Sequence, residues 1–480
     1  MKSKDQRQLY STTTFTFENG HGHNPEPEDD FFVTQRTDKG WVRGQGVFDA
    51  EPPSFNKNYD TSISEDIKVP FISHEIGQYA VYPNLKEIDK YTGTLLPLNL
   101  MAIRQDMSRK GLINDSEHWF NASGELAVIL YKEEIERALK TKRQSGFQLL
   151  GLQDFSGQST ALVGLVDAFW DNKGFISPDS FRQFCSPIVP LANFDKAVYT
   201  NDDTFKAELL IANYGNESLT GKRIRWTLGE KTGTIRIDND EKGLISVGKI
   251  EVPLSSIGKA RKLTLTSEVE NSHNRNSWDI WIYPKELNTN TSSVVVTRDF
   301  TEAVTALRLG KNVLLSPSIK DINGLEGKFV PVFWSPIHFP KQAGTMGILC
   351  DTSHPALTEF PTESHSNWQC WNLLRNAKVF NTDSINVTPI VTSIDNFANN
   401  RRLSVVFEAR CGKGKLIMTS LDLLDKSTKH PEARQLVNSL VEYMKSEYFN
   451  PKENTSETQV TSLKSDNEDI EQSDATDIYK

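Results

Sequence analysis

The N-terminal part of the chain alternates short apolar runs with stretches of helical periodicity. Apolar strands are predicted at residues 30–36, 69–75 and 146–154, and the last two end in polar side chains. Residues 98–110 and 115–142 carry apolar positions at helical spacing and are predicted to be helices. Strands that end in polar residues and alternate with helices are typical of a (β/α)8 barrel. The pattern therefore predicts the C-terminal portion of such a barrel.

From about residue 193 the pattern changes to short alternating segments bounded by turns. Strands at roughly ten-residue spacing predict an immunoglobulin-like β-sandwich of about ninety residues. Strands and helices alternate again further on, which predicts a small doubly wound α/β domain. The end of the chain is polar and acidic with almost no aromatics, so we expect it to be disordered. The predicted domains are the partial barrel at 1–190, the sandwich at 191–286, the α/β domain at 287–449 and the tail at 450–480.

Composition narrows the functional classes. The net charge of −9 argues against a nucleic-acid partner, because phosphate binding needs a concentrated basic face. No run approaches the ~18 apolar residues of a membrane helix. His21 and His23 share a loop without further ligands and are expected to be solvated, so neither a metal nor a cofactor is predicted. The cysteines are too far apart for a zinc site or a dense disulfide framework: Cys185, Cys350, Cys370 and Cys411.

Glu75 is the first candidate for chemistry. It ends the second predicted strand, at the edge where barrel enzymes place their catalytic groups. His74 precedes it, and Gln78 and Tyr79 follow on the next loop, which gives hydrogen-bonding and stacking groups suited to a sugar. The alternative is that His74 and Glu75 form a structural ion pair.

The end of the third predicted strand offers a second set of polar residues. Gln153 and Asp154 end the apolar run, and Gln158 follows in the loop. We expect these side chains to face a substrate; the alternative is that the glutamines cap loops.

A third candidate cluster lies in the α/β domain. His365, Asn367 and Trp368 combine a ring that can stack on a sugar face with groups that can bind hydroxyls. The competing interpretation is packing, because Trp368 and Trp371 are spaced three apart on a predicted helix. A similar three-residue spacing of Trp278 and Trp281 in a strand predicts that at most one of them lines the sandwich core.

The segments VPFISHEIGQYAVYPNLKEIDKYTG and GFQLLGLQDFSGQSTALVGLVDAF resemble the last two strand units of the barrel in glycoside hydrolase family 2-type enzymes. More narrowly, they are similar to bacterial β-galactosidase-like proteins of carbohydrate degradation. The resemblance extends over the predicted sandwich and α/β domain. It implies that Glu75 is the nucleophile, that Gln153 and Asp154 face the substrate, and that the substrate is a β-galactoside or a related plant-polysaccharide sugar.

The α/β domain also resembles class I glutamine-amidotransferase-like (flavodoxin-like) folds, whose nucleophilic cysteine sits at a strand-to-helix elbow. Cys350 ends a predicted strand, but the residues after it lack the small side chains of such an elbow. Amidotransferase activity is therefore not expected.

A retaining glycosidase needs two carboxyl groups about 5–5.5 Å apart. The resemblance places the acid/base glutamate in an Asn-Glu pair on the fourth strand, and no such pair precedes Glu75. A full barrel also takes about 250 residues. Three explanations stay open: the sequence is a fragment, a separate chain supplies the rest, or a degenerate relative binds sugar without cleaving it.

The resemblance implies a carbohydrate substrate and a periplasmic or secreted location, although no signal peptide is recognised at the N-terminus. The missing N-terminal half and a second copy of the chain are the candidate protein partners. No membrane partner is expected.

Overall fold

The N-terminal unit of the computed structural model is built on a small parallel sheet. The structure describes residues 2–11, 24–44, 46–239 and 241–465, so His21 and His23 lie outside it. The sheet has the strand order β1-β4-β5, with Phe32 opposite Phe71 and Ile72 opposite Gly146. The elements of this unit are β1 (Phe32–Thr34), β2 (Arg36–Thr37), β3 (Gly40–Trp41), α1 (Val47–Ala50), β4 (Phe71–Ile76), α2 (Leu98–Lys110), α3 (Ser116–Leu139), β5 (Gly146–Leu149), α4 (Gly157–Thr160) and α5 (Pro178–Arg182). The predicted parallel strands are confirmed, but the described strands do not close into a barrel.

Helix α3 joins this unit to the next one. Its apolar residues Leu126 and Leu130 are fully buried. Near its C-terminal end, the buried carboxylate of Glu136 accepts hydrogen bonds from Trp278 Nε1 at 2.7 Å and Asn276 Nδ2 at 2.8 Å. The helix thereby packs against the second unit.

The second unit consists of two sheets that share one hydrophobic cluster. The short alternating segments predicted from the sequence form strands β8 to β13. Trp278 and Trp281 are both buried, and Trp278 Nε1 donates to Glu136 of α3. That at most one of the two lines the sandwich core stays a prediction. One sheet has the order β10-β9-β12-β13-β7 and the other β11-β8-β6. The strands are β6 (Ile188–Asn193), β7 (Val198–Thr200), β8 (Thr204–Asn213), β9 (Arg223–Leu228), β10 (Lys231–Arg236), β11 (Gly243–Pro253), β12 (Arg261–Val269) and β13 (Arg275–Tyr283).

The third unit is a nine-stranded mixed sheet with helices. β14, β15 and β21 are paired in parallel, and β22 pairs in parallel with β20. The pairs β21–β20, β20–β18 and β18–β16 are antiparallel, as are β20–β19 and β19–β17. The sheet is therefore mixed and not wholly parallel, as a doubly wound domain would be. Its elements are β14 (Val294–Thr297), α6 (Phe300–Arg308), β15 (Asn312–Leu315), β16 (Leu325–Glu326), β17 (Thr345–Cys350), α7 (Trp371–Leu374), β18 (Lys378–Asn381), β19 (Thr388–Asp395), β20 (Leu403–Cys411), β21 (Gly414–Thr419), α8 (Leu423–Lys426), α9 (Pro431–Lys445), β22 (Asn454–Thr455) and α10 (Glu457–Thr461).

The predicted disordered tail is wrong for residues 450–465. Strand β22 pairs with β20, and α10 follows with a complete capping box. Val460 and Leu463 are buried in a cluster with Phe380 and Phe407. The segment is also held by an ion pair between Arg308 and Glu457 and by a hydrogen bond from Gln459 to Ser384 O. Residues 466–480 lie outside the described part of the chain.

The described residues thus form a mixed α/β structure with several sheets. Within them, none of the helices has both the length and the apolar content needed to cross a bilayer.

Candidate functional site

Glu75 lies at the C-terminal edge of the small parallel sheet, between residues of the two neighbouring strands. Its carboxylate accepts a hydrogen bond from Gln35, which follows β1 directly. On the other side, Gln148 of β5 lies 2.8 Å from His74 Nδ1. Carboxyl ends of parallel strands meet at one edge, so three separate segments of the chain converge on Glu75.

A β-bulge places the His74 and Glu75 side chains next to each other. Consecutive strand residues normally point to opposite faces. Here the β4–β5 register shifts between Ser73 and Ile76, and Glu75 has a left-handed φ of 56°. His74 Nε2 and Glu75 Oε1 are consequently only 3.4 Å apart. Bulges of this kind re-aim side chains beside active sites.

Cations and amides surround the Glu75 carboxylate. Arg43 Nη1 lies 3.8 Å from Oε2, and its guanidinium lies over the Trp41 ring at 5.4 Å. Gln78 Nε2 donates to the same oxygen at 3.4 Å. None of the described partners of Glu75 is a carboxyl group.

The electrostatics favour an ionised carboxylate. Burial raises the pKa of Glu75, but the hydrogen bond and charge of His74, with the charge of Arg43, outweigh it, so the pKa lies below its usual value. Burial lowers the pKa of His74, yet Glu75 and Gln148 raise it overall. Such a carboxylate is suited to act as a nucleophile or an anion, not as a general acid.

Sequence reasoning missed Gln35, Arg43 and Glu134. Glu134 of α3 is buried and accepts from Gly44 N at 2.5 Å and Gly77 N at 2.9 Å. It therefore fixes the two loops that flank Glu75. A glutamate on the apolar side of a predicted helix was the available signal for Glu134; Gln35 and Arg43 had none, because only the fold brings them to this edge.

Two residues predicted to bind substrate are structural. Tyr79 is only 1% exposed, and its hydroxyl donates to Glu134 at 2.8 Å, so it holds the loop instead of facing a ligand. Asp154 is buried in an ion pair with Lys173 at 2.6 Å and accepts from Gly164 N. Its substrate-facing role stays a prediction that none of these contacts supports.

The other predicted residues of this edge have different surroundings. Gln78 is buried but contacts Glu75, as described above. Gln153 is half-buried and forms an isolated backbone bridge with Val166. Gln158 is exposed in α4, on a turn that follows β5.

The residues of the predicted sugar subsite in the third unit make contacts within the protein. Asn367 is buried, its Oδ1 caps the Gln369 N–H, and its amide donates to Glu363. Trp368 contacts aromatic rings of the core, including Phe48 at 5.8 Å. His365 is half-buried, and burial lowers its pKa. These contacts favour the packing interpretation for Asn367 and Trp368.

Comparisons with known proteins give families without an assigned activity. Residues 203–284 match the model "Domain of unknown function (DUF8488)", and residues 295–465 match "Domain of unknown function (DUF8487)". No curated protein matches the chain.

Solved structures similar to this chain are bacterial β-glucuronidases. The apo structure of Bacteroides uniformis β-glucuronidase 3 is 12% identical, with a TM-score of 0.22, over 54% of this chain and 30% of that one. Parabacteroides merdae β-glucuronidase with glycerol in its active site is 11% identical, with a TM-score of 0.21, over 56% and 30%. The chain thus spans less than a third of either enzyme. The similarity is weak and says nothing about the activity of this chain.

Proposed function

We propose that this chain carries the nucleophile of a retaining β-glycosidase and that the nucleophile is Glu75. The observation that supports it is an ionised carboxylate at the C-terminal end of a parallel strand. A β-bulge sets the direction of its side chain, and an imidazole and a guanidinium contact it. On this proposal the N-terminal unit is the last part of a (β/α)8 barrel. The second unit is an immunoglobulin-like sandwich and the third an amidotransferase-like domain.

Each residue around Glu75 then has a role in the first step. A Glu75 oxygen attacks the anomeric carbon and forms a covalent glycosyl-enzyme, while the bond to the leaving oxygen breaks. Arg43 and His74 keep the carboxylate ionised at neutral pH. Gln35 and Gln78 hold Oε2, which leaves Oε1 as the oxygen that faces His74.

The complete reaction requires a second carboxyl group, which protonates the leaving oxygen in the first step and activates water in the second. The described partners of Glu75 do not include such a carboxyl group. We therefore assign this role to a residue that is not among those partners. The proposed substrate is a β-galactoside or a related plant-polysaccharide sugar, acted on in the periplasm or outside the cell.

The same observation favours a second candidate function. A carboxylate surrounded by amides and cations, without a neighbouring acid, can bind sugar hydroxyls and leave the glycosidic bond intact. This alternative is a carbohydrate-binding protein related to such enzymes.

Release of 2,4-dinitrophenolate from 2,4-dinitrophenyl β-glycosides separates the two functions, because this leaving group departs without a proton and the first step alone releases it. Glu75→Gln retains size and hydrogen bonding and is expected to bind sugar but lose turnover. Glu75→Gly is expected to regain turnover with azide, which replaces the missing nucleophile. Glu117→Gln, which changes an exposed carboxylate on α3, is the matched control. Turnover that survives Glu75→Gln contradicts the assignment.

A further inference from the structure

Strained backbone is concentrated around the edge of the sheet that carries Glu75. Among the described residues, ten other than glycine have a positive φ, and four of these are Asn or Asp, which tolerate it. The remaining six are Glu75, Gln158, Ser159, Thr160, Trp170 and Trp334. Strain of this kind persists only where surrounding contacts hold it, and it collects at ligand sites.

Contacts across two units connect the segments that hold Glu75, Ser159 and Trp334. Ser335 of the third unit donates its hydroxyl to Ser159 O at 2.6 Å, and Trp334 N donates to Gln78 O at 3.4 Å. Asn99 Nδ2 bonds Thr160 Oγ1 at 2.8 Å from the side of α2. The left-handed turn after β5 is therefore fixed from both sides.

This turn presents an exposed aromatic ring. Phe155 is 47% exposed, although its other face rests on Trp334, which is only 7% exposed. The two ring centroids are 5.6 Å apart with an interplanar angle of 31°. A backbone bridge between Phe155 and Ala161 closes the loop beneath the ring. One side of the phenyl ring thus packs against Trp334, and the rest of the ring is exposed to solvent.

A chain of contacts links Phe155 to Glu75 through Trp334 and Gln78. Trp334 bonds the backbone of Gln78, whose side chain bonds Glu75. A sugar held by the Glu75 carboxylate would meet amides and cations, and Phe155 is the exposed ring at the other end of this chain of contacts. Aromatic faces bind flat groups with C–H or π surfaces.

We propose that Phe155, supported by Trp334, is a platform for the leaving-group side of the substrate. Its ligand is a flat ring with an apolar face, either a second pyranose or an aryl group. The third unit determines specificity here, because it supplies Trp334 and the Ser335 bond that fixes the turn. The inference rests on the proposed function, since Glu75 defines which ring is the leaving group.

Calorimetric binding to the full chain tests this with paired ligands: methyl β-glycosides, phenyl β-glycosides and β-linked disaccharides of the same sugars. We expect the phenyl ligand, the disaccharide or both to bind about three- to ten-fold more tightly than the methyl ligand. Phe155→Ala is expected to abolish this preference and leave methyl glycoside affinity unchanged. Phe155→Leu keeps an apolar side chain without a flat face and is expected to behave like Phe155→Ala.

Phe169→Ala is the matched control, because Phe169 is 40% exposed on the same loop but rests on Tyr91 at 4.8 Å. It is expected to retain the preference. Equal affinities for the members of every pair, a preference that survives Phe155→Ala, or the absence of any binding overturns the inference. Azide rescue of Glu75→Gly tests the nucleophile separately. A failure of the Phe155 inference would change the ligand preference and leave the rescue intact, whereas a wrong nucleophile would remove the rescue.

Discussion

The buried carboxylate of Glu134 accepts a 2.9 Å hydrogen bond from the backbone N–H of Gly77, two residues beyond Glu75. The same carboxylate binds Gly44 N on the opposite loop and the Tyr79 hydroxyl. Burial raises the pKa of Glu134, and these donors counteract the rise. Helix α3 therefore positions the candidate site from behind, through a group that no substrate touches.

Glu134→Gln should destabilise the protein by about 1–3 kcal/mol, because an amide nitrogen cannot accept a hydrogen bond and leaves a buried donor unpaired. Thermal unfolding measures the loss. Glu125→Gln, on the same helix and half-buried, is the control and should change the melting temperature little. Equal effects of the two substitutions would show that the Glu134 contacts contribute no stability of their own.

Gly77→Ala should be severe. Gly77 has a φ of 82°, and an added Cβ would overlap the Tyr131 ring. Backbone strain and overpacking together cost about 2–5 kcal/mol. Gly93→Ala meets no neighbouring atom and should leave the melting temperature unchanged. A mild Gly77→Ala variant would contradict the described loop.

Sequence patterns predicted the strands well because alternation and apolar runs report burial directly. They did not predict contacts between segments that are far apart in the sequence: Glu136 of α3 binds Trp278, and β20 pairs with the chain after residue 450. Asp154 is at the sequence position expected for a substrate contact. Its partner Lys173 is nineteen residues further along the chain, and only the fold brings the two side chains together. Gln35 and Arg43 reach Glu75 in the same way.

Glu87 should make stability depend on pH. Burial, with the charges of Asp154 and Asp167, raises its pKa to about 7. The folded state then holds a proton that the unfolded state releases near pH 4.5, so stability falls as pH rises from about 4.5 to 7.

The uncharged Glu87→Gln should be more stable than the wild type at pH 8, by up to about 3 kcal/mol, and similar to it at pH 4.5. Melting temperatures at both values test this. Glu117→Gln serves as the control, since Lys86 lowers the pKa of that exposed carboxylate. A gain that does not depend on pH would contradict the assignment of the titration to Glu87.

Truncation after residue 449 should lower the melting temperature by several degrees. It removes β22 and the buried side chains of Val460 and Leu463, each of which contributes about 1.5–3 kcal/mol. Truncation after residue 465 removes none of the described contacts and should have no such effect. Equal melting temperatures of the two truncated proteins would contradict the docking of residues 450–465.

The most direct test of Glu75 is covalent trapping. A 2,4-dinitrophenyl 2-deoxy-2-fluoro-β-glycoside needs no acid: a Glu75 oxygen bonds to C1 while the phenolate leaves with the electron pair. Without a base to activate water, the adduct should accumulate. Intact-protein mass spectrometry over a panel of sugars should show one added fluoroglycosyl group, peptide mapping should place it on Glu75, and Glu75→Gln should abolish it. No adduct with any sugar, or an adduct that persists in Glu75→Gln, would contradict the assignment of Glu75 as the nucleophile.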